Sequence, residues 1–453
     1  MTDAHQSAPD QTTGTTTPTS ATSATSATTS PAIPMALLLT LGLLAAVAPF
    51  ATDLYLPAMP QIADDLSTTA SGAQLSLTAF LIGTAVGQLF FGPWSDKAGR
   101  RVPLIIGSVV YLAASVTTAL APSIAALVAL RLLQGLAGAA GMVIGRAMIS
   151  DRYRGEVAAK AMSLMMIVGG VAPVIAPFVG STLADPIGWR GLLWVVAALG
   201  LLALVCVLVI VPETHPAKTG QAPASDAASD AASDATSDAA ADAAAGSTSG
   251  LRALLSRDYL TNTLAFSFGF ATMMAYISAS PFLYQKYMGL STVQYGIAFA
   301  VNALALMVVS ILSAKLTARF RVRSLARTGL GINLLGAALY GLLCLVDAPA
   351  LSLMLPLLIM VGSLGLVMGN TTALALDAVP QASGSASAVL GLLQFGLAGI
   401  VAPLVGLGGD MDPVPLAITA LVASVIANVA IALSPATPSD GHRRREVSTD
   451  NDN

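Results

Sequence analysis

Twelve apolar stretches dominate this chain of 453 residues. Each runs to about 20 residues, the length an α-helix needs to cross a bilayer. Six come first, over roughly 35–60, 72–92, 103–121, 123–145, 157–183 and 189–211. A polar stretch from Glu213 to Arg257 follows. Six more then run over 258–283, 291–314, 325–346, 350–376, 382–407 and 413–434. With 55% hydrophobic and 10% charged residues, no soluble domain buries that much apolar surface. The expected fold is an all-α membrane protein with twelve transmembrane helices, numbered here as spans 1 to 12.

Basic residues mark alternate loops. Lys97, Arg100 and Arg101 follow span 2, Arg146, Arg152, Arg154 and Lys160 flank the end of span 4, and Lys315, Arg319, Arg321, Arg323 and Arg327 follow span 8. The intervening loops carry only Arg190 and Lys286. The positive-inside rule then predicts a multi-pass plasma (bacterial inner) membrane protein with both termini cytoplasmic, and Arg443, Arg444 and Arg445 agree. Residues 1–34 are rich in Ser, Thr, Ala and Pro and lack the basic start of a signal peptide, so they are expected as a disordered tail. Residues 212–257 include Asp226, Asp230, Asp234, Asp238 and Asp242 at a strict period of four. On a helix that would stack like charges, so an acidic flexible linker is expected instead. Residues 435–453 form a second tail.

The halves 35–211 and 258–434 look like copies. Ile175-Ala176-Pro177-Phe178-Val179-Gly180 in span 5 returns as Val401-Ala402-Pro403-Leu404-Val405-Gly406 in span 11. Gly141-Met142-Val143-Ile144-Gly145 in span 4 returns as Gly365-Leu366-Val367-Met368-Gly369 in span 10. Two six-helix pseudo-repeat bundles are the architecture of transporters that rock about a site near the bilayer midplane.

Charges inside the spans are few. Asp53 follows eighteen uncharged residues of span 1, in Thr52-Asp53-Leu54-Tyr55-Leu56-Pro57-Ala58-Met59-Pro60. A carboxylate in hydrocarbon costs a few kcal/mol, so it faces a cavity or a partner. Arg131 in span 4 is equally exposed to that cost, unless it snorkels to the interface. Counting along the helices puts Arg131 roughly 12 Å and Asp53 roughly 10–16 Å from the same outer face. A neighbouring arginine favours an ionised carboxylate, and a dry site favours a protonated one. A conformational change that alters either would load or release a proton. If span 1 instead ends near Tyr55, Asp53 is an interfacial residue.

Three further motifs carry chemistry. Between spans 2 and 3 stands Gly92-Pro93-Trp94-Ser95-Asp96-Lys97-Ala98-Gly99-Arg100-Arg101. Its glycines suit a tight turn, and Asp96 stands among cations. Span 4 opens with Arg131-Leu132-Leu133-Gln134-Gly135. Span 5 carries Gly170, Pro173, Pro177 and Gly180, where two prolines at i, i+4 bend the helix.

The loop resembles the signature of the major facilitator superfamily, and the arginine motif resembles its second motif. Span 5 resembles its antiporter motif, except that alanine precedes both prolines. The Thr52–Pro60 stretch resembles the bicyclomycin/chloramphenicol-resistance branch of the drug/proton antiporters. The resemblance implies the major facilitator fold and proton-coupled multidrug efflux by alternating access. Asp53 would be the protonatable site and Arg131 its coupling partner. Gly92, Asp96, Lys97, Gly99, Arg100 and Arg101 would belong to a cytoplasmic gate.

Tyr55, Gln88, Gln134, Tyr276, Phe282, Asn302 and Gln394 are the candidate lining of a substrate cavity between the halves. The expected partners are a small-molecule drug or metabolite, protons and the lipid bilayer, with the chain acting as a monomer. No cofactor and no metal are implied. His5, His215 and His442 all lie in polar segments, and Cys206 and Cys344 read as small buried hydrophobes. The net charge of −3 points to no nucleic acid. No Walker sequence and no convergent polar cluster suggest an enzyme. The alternative function is transport of an endogenous metabolite such as an amino acid, or uptake by symport.

Overall fold

A prolyl break sets the course of the first pass. Helix α1 (Met35–Asp53) stops at the carboxylate, because Pro57 lacks the amide that would bond the Asp53 carbonyl. A short 3-10 turn, Leu56–Ala58, leads into α2 (Met59–Asp65). Tyr55, Leu56, Ala58 and Met59 are all buried. The apolar course therefore runs over 31 residues, Met35–Asp65, rather than ending near residue 60. Asp53 sits inside it, at a discontinuity of the helix. These elements come from a computed structural model that describes residues 34–153, 155–214, 254–379, 383–409 and 411–434. The expected tails and acidic linker lie outside them, apart from residues 34, 212–214 and 254–257.

The remaining passes of the first half are α3 (Ala70–Ala98), α4 (Arg101–Ala119), α5 (Ile124–Arg152) and α6 (Gly155–Ile210). Those of the second are α7 (Arg257–Phe282), α8 (Thr292–Leu316), α9 (Val322–Leu345), α10 (Met354–Ser363) with α11 (Met368–Asp377), α12 (Ser383–Leu404) and α13 (Val414–Leu433). Thr69, Ser123, Ser256 and Ser291 each cap a helix by accepting a bond from an amide three residues on.

Among the described residues eleven helices are long and apolar enough to cross a membrane. One of them, Val171–Ile210, is the later part of α6, whose 56 residues would run about 84 Å if straight, nearly three bilayer cores. It folds at Gly188, whose φ of 66° lies in the left-handed region. The expected spans 5 and 6 are its two arms, which makes twelve passes.

The repeated motifs occupy corresponding places. In span 5, a methyl on Gly180 would overlap the Leu54 carbonyl, and Ser181 lies against Gly296 of span 8. In span 11, Gly406 lies against Ser71 and Gln74 of span 2, and the Ala402 carbonyl accepts a 2.9 Å bond from Ser278 of span 7. Each motif thus bridges the first helix of its own half to the second helix of the other.

One end of the molecule is closed across the halves. Lys286 Nζ lies 3.0 Å from Asp64, Gln285 Nε2 donates to the Pro57 carbonyl at 2.8 Å, and Thr292 Oγ1 donates to Asp185 at 3.1 Å. Gln74 Nε2 donates to the Ser278 carbonyl at 2.9 Å. Within the first half, Trp189 Nε1 donates to Asp65 at 2.7 Å and Arg190 stacks on Trp189 at 4.1 Å.

Candidate functional site

A cavity of about 840 Å³ lies between the halves, with Asp53 in its wall. Its lining reaches from Leu77 and Asp53 to Met307, Ser310 and Ala314 near the far end of α8. It therefore extends away from the closed end, toward the basic loops after spans 2 and 8. The wall is almost wholly apolar. Phe80, Phe270, Phe299, Phe395 and Tyr276 supply rings, and Met142, Met273, Met274 and Met307 supply flexible thioethers. Asp53 is the only formally charged residue of the lining described.

Asp53 is 5% exposed. Its Oδ1 lies 2.9 Å from the Thr52 hydroxyl, which also lies 2.9 Å from the Pro49 carbonyl. One proton serves either acceptor. Gly180 packs on the Leu54 carbonyl directly beyond Asp53, so span 5 props the break that holds the carboxylate. Pro173, nearly two turns away along the helix, faces the cavity. Pro177 presents its carbonyl toward Gly296 of span 8. Gly170 lies in the same helix, α6.

Arg131 is fully buried, but no ion pair joins it to Asp53 among the described residues. Its guanidinium stacks on Tyr55 at 4.6 Å and on Phe80 at 4.4 Å. Nη1 donates to Gln134 Oε1 at 2.7 Å, and Gln134 Nε2 donates to Ser115 at 2.7 Å. Among the described residues Nε and Nη2 have no acceptor. In this conformation Tyr55 and Phe80 lie on the guanidinium where the Asp53 carboxylate was expected.

The sequence-based lining is redistributed. Tyr276 and Gln394 face the cavity. Tyr55 is buried behind it, 3.1 Å from Ser76, and Gln134 belongs to the arginine network. Gln88 abuts Gly391 of span 11. Asn302 donates to Tyr284 at 3.2 Å, within a cluster of rings that includes Tyr276, Tyr295 and Phe299. Phe282 borders a separate small pocket near Gln74 and Asp412. The difference arises because helix rotation about its own axis is set by neighbouring helices, not by local pattern.

The signature loop forms a clamp at the other end. Arg100 bonds Asp96, Ser95 at 2.8 Å and Asp151 at 2.7 Å, and Glu213 accepts the backbone amides of Arg100 and Arg101 at 2.9 and 3.3 Å. Burial alone would depress the Arg100 guanidinium, but the carboxylates of Asp151 and Asp96 outweigh it and raise its pKa above the ordinary value. Arg101 donates to the Leu208 carbonyl at 3.1 Å. Gly92 faces Val143 of span 4, Gly99 takes a φ of 91° at the turn, and Lys97 lies in the last turn of α3. The clamp ties together the ends of spans 2, 4 and 6 with the start of span 3. Asp151 and Glu213 were not singled out from sequence. Their only signal was an acid at the end of an apolar span.

Two six-pass halves around a midplane cavity define a secondary-transporter architecture. The Major Facilitator Superfamily model matches residues 41–403, and the chain belongs to that family of transporters. It is thus a multi-pass membrane transporter of small molecules rather than an enzyme. It is 33% identical over 398 residues to the uncharacterized MFS-type transporter YdgK of Bacillus subtilis, covering 87% of this chain and 94% of that protein. It is 28% identical over 368 residues to the bicyclomycin resistance protein homolog of Haemophilus influenzae, covering 81% and 88%. It is also 28% identical over 285 residues to the multidrug resistance protein MdtL of an Escherichia coli strain, covering 63% and 67%. Among solved structures, a bacterial homolog of the human lysosomal transporter Spinster, in an inward-facing and unoccupied conformation, superposes with a TM-score of 0.68. That match is 17% identical and covers 89% of this chain and 98% of that one. A D-xylose-proton symporter superposes at 0.66 with 14% identity, covering 86% and 96%.

Proposed function

We propose that this transporter exports small amphipathic compounds of the chloramphenicol and bicyclomycin kind in exchange for protons, by alternating access. The observation that carries the reading is Asp53. It is a buried carboxylate with no cationic partner among the described residues, held at a helix break in the wall of an apolar cavity between the halves. Such a group has few reasons to persist in a membrane other than proton or substrate traffic.

The reading implies a cycle that the geometry supports. In the conformation seen, the cavity leads toward the basic loops, which the positive-inside rule assigns to the cytoplasm, so the state is inward-facing. Both termini are then cytoplasmic and the membrane is the bacterial inner membrane. Substrate displaces the Asp53 proton to the inside, the halves rock, and a proton taken from outside displaces the substrate in turn. Arg131 acts in this cycle as the buried cation whose distance from Asp53 changes with conformation. The Arg100 clamp holds spans 2, 3, 4 and 6 as one moving body. The wall weighs against an amino acid as substrate, because a zwitterion needs two counter-charges and the cavity wall offers one.

Everted membrane vesicles test the reading. Addition of a transported compound should release a proton flux in the wild type, and Asp53→Asn should reduce it to background while leaving the protein in the membrane. Undiminished coupled transport in Asp53→Asn would sink the proposal.

A further inference from the structure

The two halves balance their basic loops differently. After span 2, three cations stand with three carboxylates. Asp96 and Asp151 accept from the Arg100 side chain, and Glu213 accepts from the amides of Arg100 and Arg101. After span 8 the loop holds Lys315, Arg319, Arg321, Arg323 and Arg327, and no Asp or Glu occurs from 259 to 346. Arg323 is buried, donates to Ser434 Oγ at 2.6 Å and lies 3.8 Å from Asp258. Arg327 gives one bond to the Ile431 carbonyl at 3.3 Å. Lys315, Arg319 and Arg327 are exposed, and none of them makes an ion pair among the described residues. Asp377, at the end of α11, pairs with none of them.

The backbone brings two of these cations together. The amides of Arg319 and Phe320 donate to the Leu316 carbonyl at 3.0 and 2.8 Å, so the coil of α8 continues for a further turn. Lys315 and Arg319, four residues apart, share one side of it, where like charges repel unless an anion lies between them. Phe320 is 55% exposed beside them, and Ile311 and Leu312, one turn before Leu316, are exposed as well. An exposed ring flanked by arginines at the end of an apolar span fits the boundary between acyl chains and headgroups. The guanidinium fork matches phosphate oxygens, and an ammonium adds a point charge.

We propose that the loop between spans 8 and 9 binds an anionic phospholipid of the adjoining leaflet, with Lys315 and Arg319 on the headgroup phosphate, Arg327 adding to the field and Phe320 against the first acyl methylenes. The second half thus takes from the bilayer the anions that the first half carries in its own chain. A soluble acidic partner, such as the aspartate-rich segment of this chain, would make no use of Phe320. The inference stands apart from the exporter reading, because lipid binding is measured without transport.

The test is thermal unfolding of the purified, delipidated full chain in a neutral detergent, titrated with lipid. Dioleoylphosphatidylglycerol should raise the midpoint at concentrations at least about tenfold below those needed of dioleoylphosphatidylcholine, the size of effect expected for two basic residues at an anionic headgroup. Lys315→Gln combined with Arg319→Gln should abolish that difference. Lys97→Gln combined with Arg152→Gln removes the same charge from exposed positions of the first half and should leave it within about twofold. Equal loss in both double variants would reduce the effect to the general attraction of a basic surface and overturn the site. Equal protection by the two lipids, or the same protection by inorganic phosphate, overturns it as well. So does a preference that appears only after Asp226, Asp230, Asp234, Asp238 and Asp242 are replaced by asparagine, which would give the loop to that segment. Should the Lys315, Arg319 double variant fail to fold, a photoactivatable phosphatidylglycerol on the wild type decides. It should label the peptide 315–327, and labelling that spares this peptide overturns the inference.

Discussion

Asp53 and Arg100 illustrate two ways to keep a charge in or near a membrane. Asp53 has one hydroxyl neighbour and a cavity. Arg100 has the carboxylates of Asp96 and Asp151 as well as Ser95, in a partly wet interface. The guanidinium fork reaches several acceptors at once, which an ammonium cannot do. Arg100→Lys should therefore lower the stability of the purified protein by about 1–3 kcal/mol, the range for charge-assisted bonds. A thermal unfolding series in one detergent reads this, and an unchanged midpoint would show that the clamp contributes nothing. Because the carboxylates raise the Arg100 pKa above its ordinary value, its contribution is complete below that ordinary value and fades only above it. The loss on Arg100→Lys should thus not grow as pH rises through neutrality.

At the scale of elements, the prolines decide where the helices stop and the close contacts decide what they touch. The break after Asp53 exists because Pro57 withholds an amide, and it is stable because span 5 seats Gly180 on the Leu54 carbonyl. A side chain at 180 has backbone, not a movable side chain, in its way. Gly180→Ala should cost about 1–3 kcal/mol by overpacking, and Gly180→Val more. Transport should fall with the same order, since the displaced helix also carries Pro173 at the cavity wall. Thermal stability and drug efflux measured on the same two variants test this. Native behaviour in Gly180→Val would mean that spans 1 and 5 do not meet as described.

For the whole molecule, the question is which end opens. The closed end rests on a few polar contacts across the halves, and the Asp64–Lys286 pair is solvent-exposed, worth at most about 1 kcal/mol. Weak closure of this kind suits an equilibrium that a transported substrate must tip. A cysteine pair at Asp185 and Thr292, with Cys206 and Cys344 replaced by serine, tests it. Bridging the pair with a short bifunctional thiol reagent should arrest transport with this end closed, and a cleavable bridge should restore it on reduction. Full transport with the bridge intact would show that this end does not open.

The sequence by itself determined the twelve passes, the two related halves, the sidedness signals and the rarity of Asp53. These are local quantities. A helix in lipid satisfies its own backbone, so length and hydropathy suffice to find it. Pro57 likewise announces its break without help from the rest of the chain. The facing of side chains was a different matter. Tyr276 and Gln394 line the cavity, while Tyr55, Gln88, Gln134, Phe282 and Asn302 do not, and Arg131 rests on Phe80 instead of on Asp53. A soluble helix declares its buried face by an apolar stripe. A helix with lipid on one side and packed neighbours on the other is apolar all round, and its rotation is legible only once the neighbouring helices are in place.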